Sequence, residues 1–313
     1  MHVVVTGGAG FIGANLVEHL LSTGAADQIT AVDDLSSGYR ANLDGLDARL
    51  LEGSVLDADL LDTALAGADA VVHLAAVPSV PRSIEAPVAS HDANATGTVA
   101  VLEAARRAGG LHVVAASSSS VYGADPTMPK SEDLPTRPLS PYAASKLAAE
   151  SYVIAWGHSY DLPTLAFRFF NVFGPLQPAG HAYAAVIPAF IDAAMRGQPA
   201  VVHGDGHQSR DFTYVGTVTS VLADAVTRTV TSPDPVNLAF GSRLTLLDAL
   251  DALEGILGAE VPRVHTDPRP GDVRHSQADR SRLEALFPDV EPVAFTEGLA
   301  ETVAWFRRVG VGA

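Results

Sequence analysis

The sequence predicts an α/β fold in which a doubly wound parallel sheet carries a smaller C-terminal α/β lid. A glycine-rich turn joins the first strand-like segment to a helix-like segment directly after residue 6. Strand-like and helix-like segments then alternate through residue 171, which indicates parallel strands joined by helices. Beyond that point proline and glycine become dense between Gly174 and Gly180, and the character of the chain changes.

The predicted sheet is built from short apolar segments. In chain order these strands are His2–Thr6, Gln28–Val32, Arg49–Glu52, Ala68–Leu74, Leu111–Ala116 and Thr164–Arg168. Apolar residues at helical spacing predict helices at Phe11–Thr23, Asp92–Ala108, Pro141–His158, Ala184–Arg196, Arg243–Leu257 and Thr296–Arg308. We therefore expect a sheet domain at residues 1–171, with a returning segment at about 212–241. A smaller substrate-binding domain is expected at residues 172–211 and 242–313.

Composition excludes several classes of protein. The 313 residues are 47% hydrophobic and 18% charged, which is an ordinary globular balance. The apolar stretches are shorter than the roughly 20 residues of a membrane span, and no secretory signal follows Met1. The chain has no cysteine, which excludes disulfides and thiolate chemistry and fits the cytoplasm. We expect a cytoplasmic protein without a membrane partner.

Charge and histidine spacing exclude two further kinds of partner. The net charge is −16 and no Lys/Arg run is present, so the sequence does not predict a nucleic-acid binder. The 11 histidines show no ligand spacing, since His203 and His207 flank a glycine turn, and no metal is expected. An acidic protein can still bind an anionic small molecule through a few local arginines and helix N-termini.

The glycine turn predicts a dinucleotide site of the Rossmann type. Gly7, Gly10 and Gly13 stand between a strand and a helix that begins with Phe11 and Ile12. Glycines at this spacing allow a tight turn, close approach of a pyrophosphate and close packing of the helix on the strand. Asp33 ends the second strand, where a carboxylate accepts from the ribose hydroxyls and repels a 2′-phosphate. The pattern favours NAD over NADP.

A serine, a tyrosine and a lysine predict proton-transfer chemistry beside that cofactor. The fifth strand runs into Ser117 and Ser118, and Tyr142 and Lys146 lie one helical turn apart near the start of a helix. An ammonium group and a cationic nicotinamide ring are expected to lower the pKa of the phenol. The tyrosine then takes a proton from a sugar hydroxyl while the serine hydroxyl holds the reacting oxygen.

With these residues the chain resembles the extended short-chain dehydrogenase/reductase family, in its nucleotide-sugar epimerase branch. The resemblance covers almost the whole sequence, through segments that include His73-Leu74-Ala75-Ala76, Asn94-Ala95-Thr96-Gly97-Thr98 and Arg168-Phe169-Phe170-Asn171-Val172-Phe173-Gly174-Pro175. It implies that Tyr142 is the base, Lys146 its electrostatic and ribose-binding partner, and Ser118 the hydroxyl holder. The resemblance implies further cofactor contacts at Ser54, Val55, Leu74, Ala75, Ala76, Asn94 and Ser117.

The same resemblance implies a set of substrate contacts. Asn171, Arg210 and Arg269 would hold the diphosphate of a UDP-sugar, and Ser276 would act as a gate beside the C2 substituent of the sugar. A small residue at this gate leaves room for an N-acetyl group. The remaining expected contacts are Ser79, Ser118, Phe170, Ala185 and Val186. One departure from the family pattern is Ser54, because relatives usually carry an acidic residue there against the adenine.

The residues after Ser118 favour epimerisation over related reactions. Related dehydratases and decarboxylases carry acidic side chains where this chain has Ser119 and Ser120, and a hydroxyl has no suitable pKa for proton donation. We therefore expect NAD-dependent C4 epimerisation of UDP-N-acetylglucosamine, UDP-glucose or both, through a 4-keto sugar. A UDP-glucuronate 4-epimerase, another oxidoreductase or lyase of this fold, and a non-catalytic NAD sensor stay open. The resemblance also implies a homodimer formed by the helices near 92–108 and 141–158.

Overall fold

The computed structural model of the protein describes residues 1–179, 184–268 and 273–310. Its strands are β1 His2–Thr6, β2 Gln28–Asp33, β3 Arg49–Glu52, β4 Ala70–His73, β5 His112–Ser118, β6 Thr164–Phe169, β7 Asn171–Phe173, β8 Ala200–His203, β9 Ser209–Arg210, β10 Phe212–Tyr214, β11 Val236–Leu238, β12 Leu244–Thr245 and β13 Arg263–Thr266. Its α-helices are α1 Phe11–Ser22, α2 Ala58–Leu65, α3 Val80–Glu85, α4 Pro87–His91, α5 Gly97–Arg107, α6 Pro141–Tyr160, α7 Val186–Met195, α8 Val215–Thr227, α9 Leu246–Leu257, α10 Ser281–Leu286 and α11 Phe295–Val309.

The main sheet has the strand order β11-β6-β5-β4-β1-β2-β3, and all of its neighbouring strands are parallel. The chain starts in the middle at β1, winds outward to β3, and then returns to β4 on the other side. This order confirms the predicted doubly wound sheet. Strand order reverses between β1 and β4, and the carboxyl ends of the strands at such a point form a crevice where ligands bind.

The two faces of the sheet are buried by different helices. Along β1, Val3 and Val5 face the cluster that contains α1 and α8, while Val4 faces the cluster that contains α2, α5 and α6. Successive side chains of a strand point to opposite faces, so a continuous run of valines is suited to a sheet that is covered on both sides. All three valines have 0% exposure. The strand ends near the glycine turn are therefore held rigidly.

The C-terminal part has its own core. Helices α7, α9 and α11 pack around the short pairs β10–β7 and β13–β8, and the aromatic residues Phe173, Phe212, Tyr214 and Phe295 contact one another there. In contrast, α8 packs on α1, and β11 joins the main sheet beside β6. The division into two domains, including the returning segment expected at about 212–241, stays a prediction.

Two predicted helices begin differently from expectation. The predicted helix at 243–257 starts at Leu246, because Thr245 and Asp248 form a capping box and Leu244–Thr245 pairs with β9. The predicted helix at 92–108 begins with a π-helical turn at Asp92–Thr96 before α5. That extra residue per turn changes which side chains face inward near the cleft.

Candidate active site

A cleft opens at the carboxyl ends of the main-sheet strands. It brings together the following residues that the sequence predicted for the cofactor and the reaction: Gly7, Gly10, Phe11, Ile12, Gly13, Asp33, Ser54, Val55, Leu74, Ala75, Ala76, Ser117, Ser118, Phe170, Tyr142 and Lys146. Its lining also includes residues that sequence reasoning missed, namely Val32, Asp34, Ser36, Ser37, Gly53, Val77, Pro78, Ala93, Ala116, Phe169, Val172 and Gln177. Most of the missed residues contribute backbone or apolar surface, which has no sequence signature of its own.

The glycine turn has the geometry that a pyrophosphate requires. Gly7 has φ +70°, and a Cβ atom there would lie 2.8 Å from the backbone nitrogen of Ala75. A Cβ atom at Gly13 would lie 2.1 Å from the Gly7 carbonyl oxygen, so any side chain would push α1 away from the turn. Gly10 caps α1 without a side-chain hydrogen bond. The first turn of α1 therefore faces the cleft with backbone N–H groups and the positive end of the helix dipole.

Asp33 lies at the end of β2 with 7% exposure. Its Oδ2 accepts from the Ala9 backbone N–H at 2.9 Å, and its Oδ1 accepts from the Leu35 N–H at 2.9 Å. Burial raises the pKa of this carboxyl group, and the backbone hydrogen bonds oppose that shift. The carboxylate keeps lone-pair capacity for a ribose hydroxyl. The Asp33 carboxylate and the free backbone N–H groups in the first turn of α1 fit the ribose and pyrophosphate of NAD. The carboxylate is unsuited to a 2′-phosphate because both are negatively charged.

The predicted catalytic group is positioned by the start of α6. The Ser140 hydroxyl accepts from the Ala143 N–H at 3.1 Å, and Pro141 occupies the first helical turn, so the helix begins one residue before Tyr142. One turn later, the Lys146 Nζ donates to the Ala116 carbonyl oxygen at 2.8 Å. That bond fixes α6 against the end of β5, where Ser118 lies.

The Ser118 hydroxyl is held at the cleft with its own hydrogen available to donate. Its oxygen accepts from the Ser120 N–H at 3.2 Å and from the Ser120 hydroxyl at 2.9 Å. A hydroxyl that accepts twice still has its own hydrogen to donate. Hydrogen bonding between Ser118 and Tyr142 lowers the pKa of the tyrosine, in opposition to burial. Ser118 and Tyr142 therefore meet at one point of the cleft.

The part of the electrostatic expectation that rests on Lys146 is wrong. Burial outweighs hydrogen bonding and raises the pKa of Tyr142 above its ordinary value, and no lowering by Lys146 is found in the part of the chain described. Burial also lowers the pKa of Lys146 to about 8. Both side chains are desolvated, and desolvation disfavours the charged form of each. Stabilisation of a phenolate by a cationic nicotinamide ring stays a prediction.

A buried ion pair that sequence reasoning missed supports this group from behind. Glu150 follows Lys146 by one further helical turn, and its carboxylate accepts from Arg168 at 2.7 Å, with side-chain exposures of 3% and 4%. The Ser117 hydroxyl donates to Glu150 at 2.7 Å. Ser117 thus lines the cleft while its hydroxyl is engaged by Glu150, and its contact with the cofactor stays a prediction. The signal for Glu150 was present in the i, i+4, i+8 spacing of 142, 146 and 150.

Asn94 lies outside the cleft lining, and its expected contact with the cofactor stays a prediction. It is 1% exposed, and the neighbouring Ala93 lines the cleft instead. The Asn94 side chain accepts from the Val77 N–H at 2.8 Å and donates to the Ser145 hydroxyl at 2.9 Å. The π-helical turn directs the amide inward, where it joins the cleft floor at Val77 to the helix that carries Tyr142.

Unlike the expected cofactor contacts, most of the expected substrate contacts do not line the cleft. Phe170 lines the cleft, whereas Ser79, Asn171, Ala185, Val186, Arg210 and Ser276 lie outside its lining, and Arg269 falls outside the described residues. Arg210 and Ser276 are nevertheless brought together, since the Ser276 N–H donates to the carbonyl oxygen of Ser209 at 3.0 Å. Asn171 pairs with Phe212 through β7 and β10. Substrate binding by these residues stays a prediction.

A buried carboxylate organises that region and was also missed. Asp211 is 0% exposed and accepts from the backbone N–H groups of Gly241, Ser242 and Ala278 at 2.9–3.1 Å. Burial raises its pKa to about 6. Because Asp211 directly follows Arg210, this clamp fixes the arginine relative to the loops around 241 and 278.

The fold, the glycine turn and the Ser118–Tyr142–Lys146 group define a dinucleotide-dependent enzyme that acts on a hydroxyl-bearing substrate. Residues 3–239 match the model of the NAD dependent epimerase/dehydratase family, and the chain belongs to that family. It is an enzyme, and its cofactor is NAD. Within the described ranges, no cluster of His, Cys, Asp and Glu suited to a metal ion is found, and no helix is long and apolar enough to cross a membrane.

The chain is similar to characterised relatives over nearly its full length. It is 38% identical to a UDP-glucose 4-epimerase of Mycolicibacterium smegmatis, over 98% of this chain and 99% of the relative. A UDP-N-acetylglucosamine 4-epimerase from Methanobrevibacter ruminantium, solved with UDP-N-acetylmuramic acid, is 37% identical with a TM-score of 0.92, over 99% of both chains. A UDP-glucose 4-epimerase of Thermus thermophilus, solved with NAD, is 34% identical with a TM-score of 0.88, over 98% of this chain and 99% of that one.

Proposed function

We propose that this protein inverts C4 of a UDP-hexose, with UDP-N-acetylglucosamine and UDP-glucose as substrates. The observation that carries this proposal is the environment of Ser118. The two residues that follow it are serines, and the Ser120 hydroxyl is occupied as a donor to Ser118. No carboxylate stands there to eliminate water or to promote decarboxylation. Oxidation and reduction at one carbon then account for the chemistry of the whole site.

The protein residues have separate roles in this reaction. Ser118 donates its hydrogen to the C4 oxygen of the sugar and holds it beside Tyr142, which accepts the hydroxyl proton. Bound NAD supplies the acceptor and donor of the hydride at C4. On the return, Tyr142 gives the proton back to the oxygen. The sugar has to turn over inside the site between the two halves, so that hydride returns to the opposite face of C4 while the C4 oxygen again lies beside Tyr142.

Substrate choice is assigned to the region around Ser276. Its backbone is fixed against Ser209, and the adjacent His275 Nδ1 lies 2.9 Å from the Ser209 hydroxyl. A small side chain on a fixed backbone leaves a defined space near the sugar, which suits an N-acetyl group as well as a hydroxyl. We expect Ser276→Tyr to remove activity on UDP-N-acetylglucosamine while keeping activity on UDP-glucose. Ser276→Ala is the matched control and should keep both activities.

The test of the proposal is incubation of purified protein, without added NAD, with UDP-N-acetylglucosamine and separately with UDP-glucose. We expect the galacto epimer of each substrate by chromatography. If neither epimer forms after NAD is also supplied, the UDP-hexose proposal fails. UDP-glucuronate is then the next substrate to test, because a UDP-glucuronate 4-epimerase of Thermodesulfobacterium geofontis is 33% identical over 98% of this chain.

A homodimer and a cytoplasmic location complete the proposal. Helix α6 exposes Tyr152 and Tyr160 at 42% and 50%, and Trp156 lies between them on the same stripe. Aromatic stripes of this kind are suited to a subunit interface. We expect light scattering to give twice the mass of one chain. Tyr152→Asp should shift the mass toward one chain, and an unshifted variant would exclude this face as the interface.

A further inference from the structure

Three arginines converge on Ser209, a residue of β9. Arg243 Nε donates to the Ser209 hydroxyl oxygen at 3.4 Å, and Arg210 follows Ser209 on the strand. Arg274 lies beside them, because its carbonyl oxygen accepts from the Ser209 N–H at 3.0 Å and the next residue, His275, pairs with Ser209. Burial lowers the pKa of His275, and the positive charges of the three arginines lower it further. The three guanidinium groups therefore lie around one imidazole ring.

The positive charge of this cluster is not balanced by carboxylates in the part of the chain that the structure describes. Arg274 has a partner, since its Nη2 donates to Asp205 at 2.7 Å. Asp211 directly follows Arg210, but its carboxylate is 0% exposed and accepts from backbone N–H groups. Arg243 is exposed and forms no ion pair within the described ranges. In a chain with a net charge of −16, such a local excess of positive charge indicates an anion site.

The cluster borders the cleft through the short strands of the C-terminal part. Cleft-lining residues stand on both sides of Asn171, whose N–H donates to the carbonyl oxygen of Asp211 at 3.2 Å. Arg210 precedes Asp211 and pairs with Leu244, the residue after Arg243. When the sugar of a nucleotide-sugar reaches the predicted catalytic group in the cleft, its diphosphate would lie toward this border.

We infer that Arg243 binds the diphosphate of the UDP-sugar together with Arg210, and this inference rests on the proposed function. The diphosphate carries negative charge on both phosphates, and a guanidinium group can donate two parallel hydrogen bonds to phosphate oxygens. The bond from Nε to Ser209 holds one side of the Arg243 guanidinium group. Its two terminal nitrogens make no hydrogen bond within the described residues, so they are the donors for the ligand.

The inference is tested by binding to the intact protein, which needs no turnover of a sugar. UDP is titrated into the wild type and into Arg243→Met, and the two Kd values are compared. We expect the variant to bind UDP about 10–100-fold more weakly, because a hydrogen bond between charged groups is lost. Uridine, which has the base and the ribose without the phosphates, should bind the two proteins equally.

Two further variants separate a phosphate contact from a general effect of charge or packing. Arg274→Met is the matched control, because that arginine is already paired with Asp205, and its Kd for UDP should stay within about threefold of wild type. Arg243→Lys keeps the charge without the planar fork, and its Kd should fall between those of wild type and Arg243→Met.

The possible outcomes distinguish this inference from the proposed function. An unchanged Kd for UDP in Arg243→Met, or an equal loss of affinity for UDP and uridine, would overturn the inference alone. A wild-type protein that binds UDP but forms no epimer would contradict the proposed reaction alone. Failure of the wild type to bind UDP would overturn both.

Discussion

The cofactor half and the substrate half of the site differ in what holds their functional groups. In the cofactor half, the contacts are backbone groups and side chains at the ends of long parallel strands, such as Gly7 after β1 and Asp33 in β2. In the proposed substrate half, the predicted contacts Asn171, Arg210 and Ser276 are carried by strands of two or three residues and by loops that Asp211 clamps. We infer from this difference that the proposed chemistry is fixed by the sheet, while the proposed substrate contacts depend on shorter elements.

Removing the base tests the chemical side of this comparison and has the largest expected effect. We expect Tyr142→Phe to lower kcat by about 10³-fold, since general acid–base catalysis contributes 10²–10⁴-fold, with KM little changed. The dinucleotide content of the purified variant should equal that of the wild type. Loss of bound dinucleotide together with activity would instead assign Tyr142 to cofactor binding.

The buried ion pair behind the cleft should matter far more for folding than a surface pair. Arg168→Met leaves Glu150 charged and unpaired in the interior, and we expect a loss of about 3–5 kcal/mol in the free energy of unfolding. The matched control is Arg107→Met, whose partner Asp62 is 52% exposed, with an expected loss of at most about 1 kcal/mol. If urea unfolding gave equal losses of free energy for the two variants, the Arg168–Glu150 pair would not have the structural role assigned to it.

Lys146 should leave a signature in stability against pH. Its folded-state pKa is lowered to about 8 from an ordinary value of 10.5, so between these values the unfolded chain binds more protons than the folded protein. Stability contributed by this group therefore increases as pH rises from about 8 to 10.5. Relative to Lys146→Met, we expect the wild type to gain roughly 3 kcal/mol across that window. A constant difference between the two proteins would show that Lys146 is not desolvated.

An arginine of the substrate half should affect affinity rather than chemistry. We expect Arg210→Met to raise KM for the UDP-sugar by about 10–100-fold with a smaller change in kcat, because a bond to a charged diphosphate is lost in ground and transition states alike. Arg228→Met is the control, since that residue pairs with Asp224 on α8. A fall in kcat at constant KM would instead show that Arg210 acts in the chemical step rather than in substrate binding.

The contrast between residues at the ends of the main-sheet strands and residues on short strands also explains how much the sequence could predict. Gly7, Asp33, Tyr142 and Lys146 were predictable because their spacing along strand and helix ends fixes where they meet. Asn94 and Ser117 were predicted to contact the cofactor, and these contacts stay predictions, since a π-helical turn places Asn94 outside the cleft lining and a buried carboxylate engages Ser117. The pairs β7–β10 and β9–β12 could not be predicted, because strands of two or three residues depend on partners that are distant in sequence.

Tracing the hydrogen at C4 tests the central claim most directly. UDP-N-acetylglucosamine deuterated at C4 would be incubated with the purified protein in ordinary water without added NAD, and the sugar product analysed by NMR and mass spectrometry. The account predicts UDP-N-acetylgalactosamine that keeps its deuterium at C4, because the hydride leaves and returns within one closed site. Loss of the label to water, or a dehydrated product, would contradict oxidation and reduction at a single carbon.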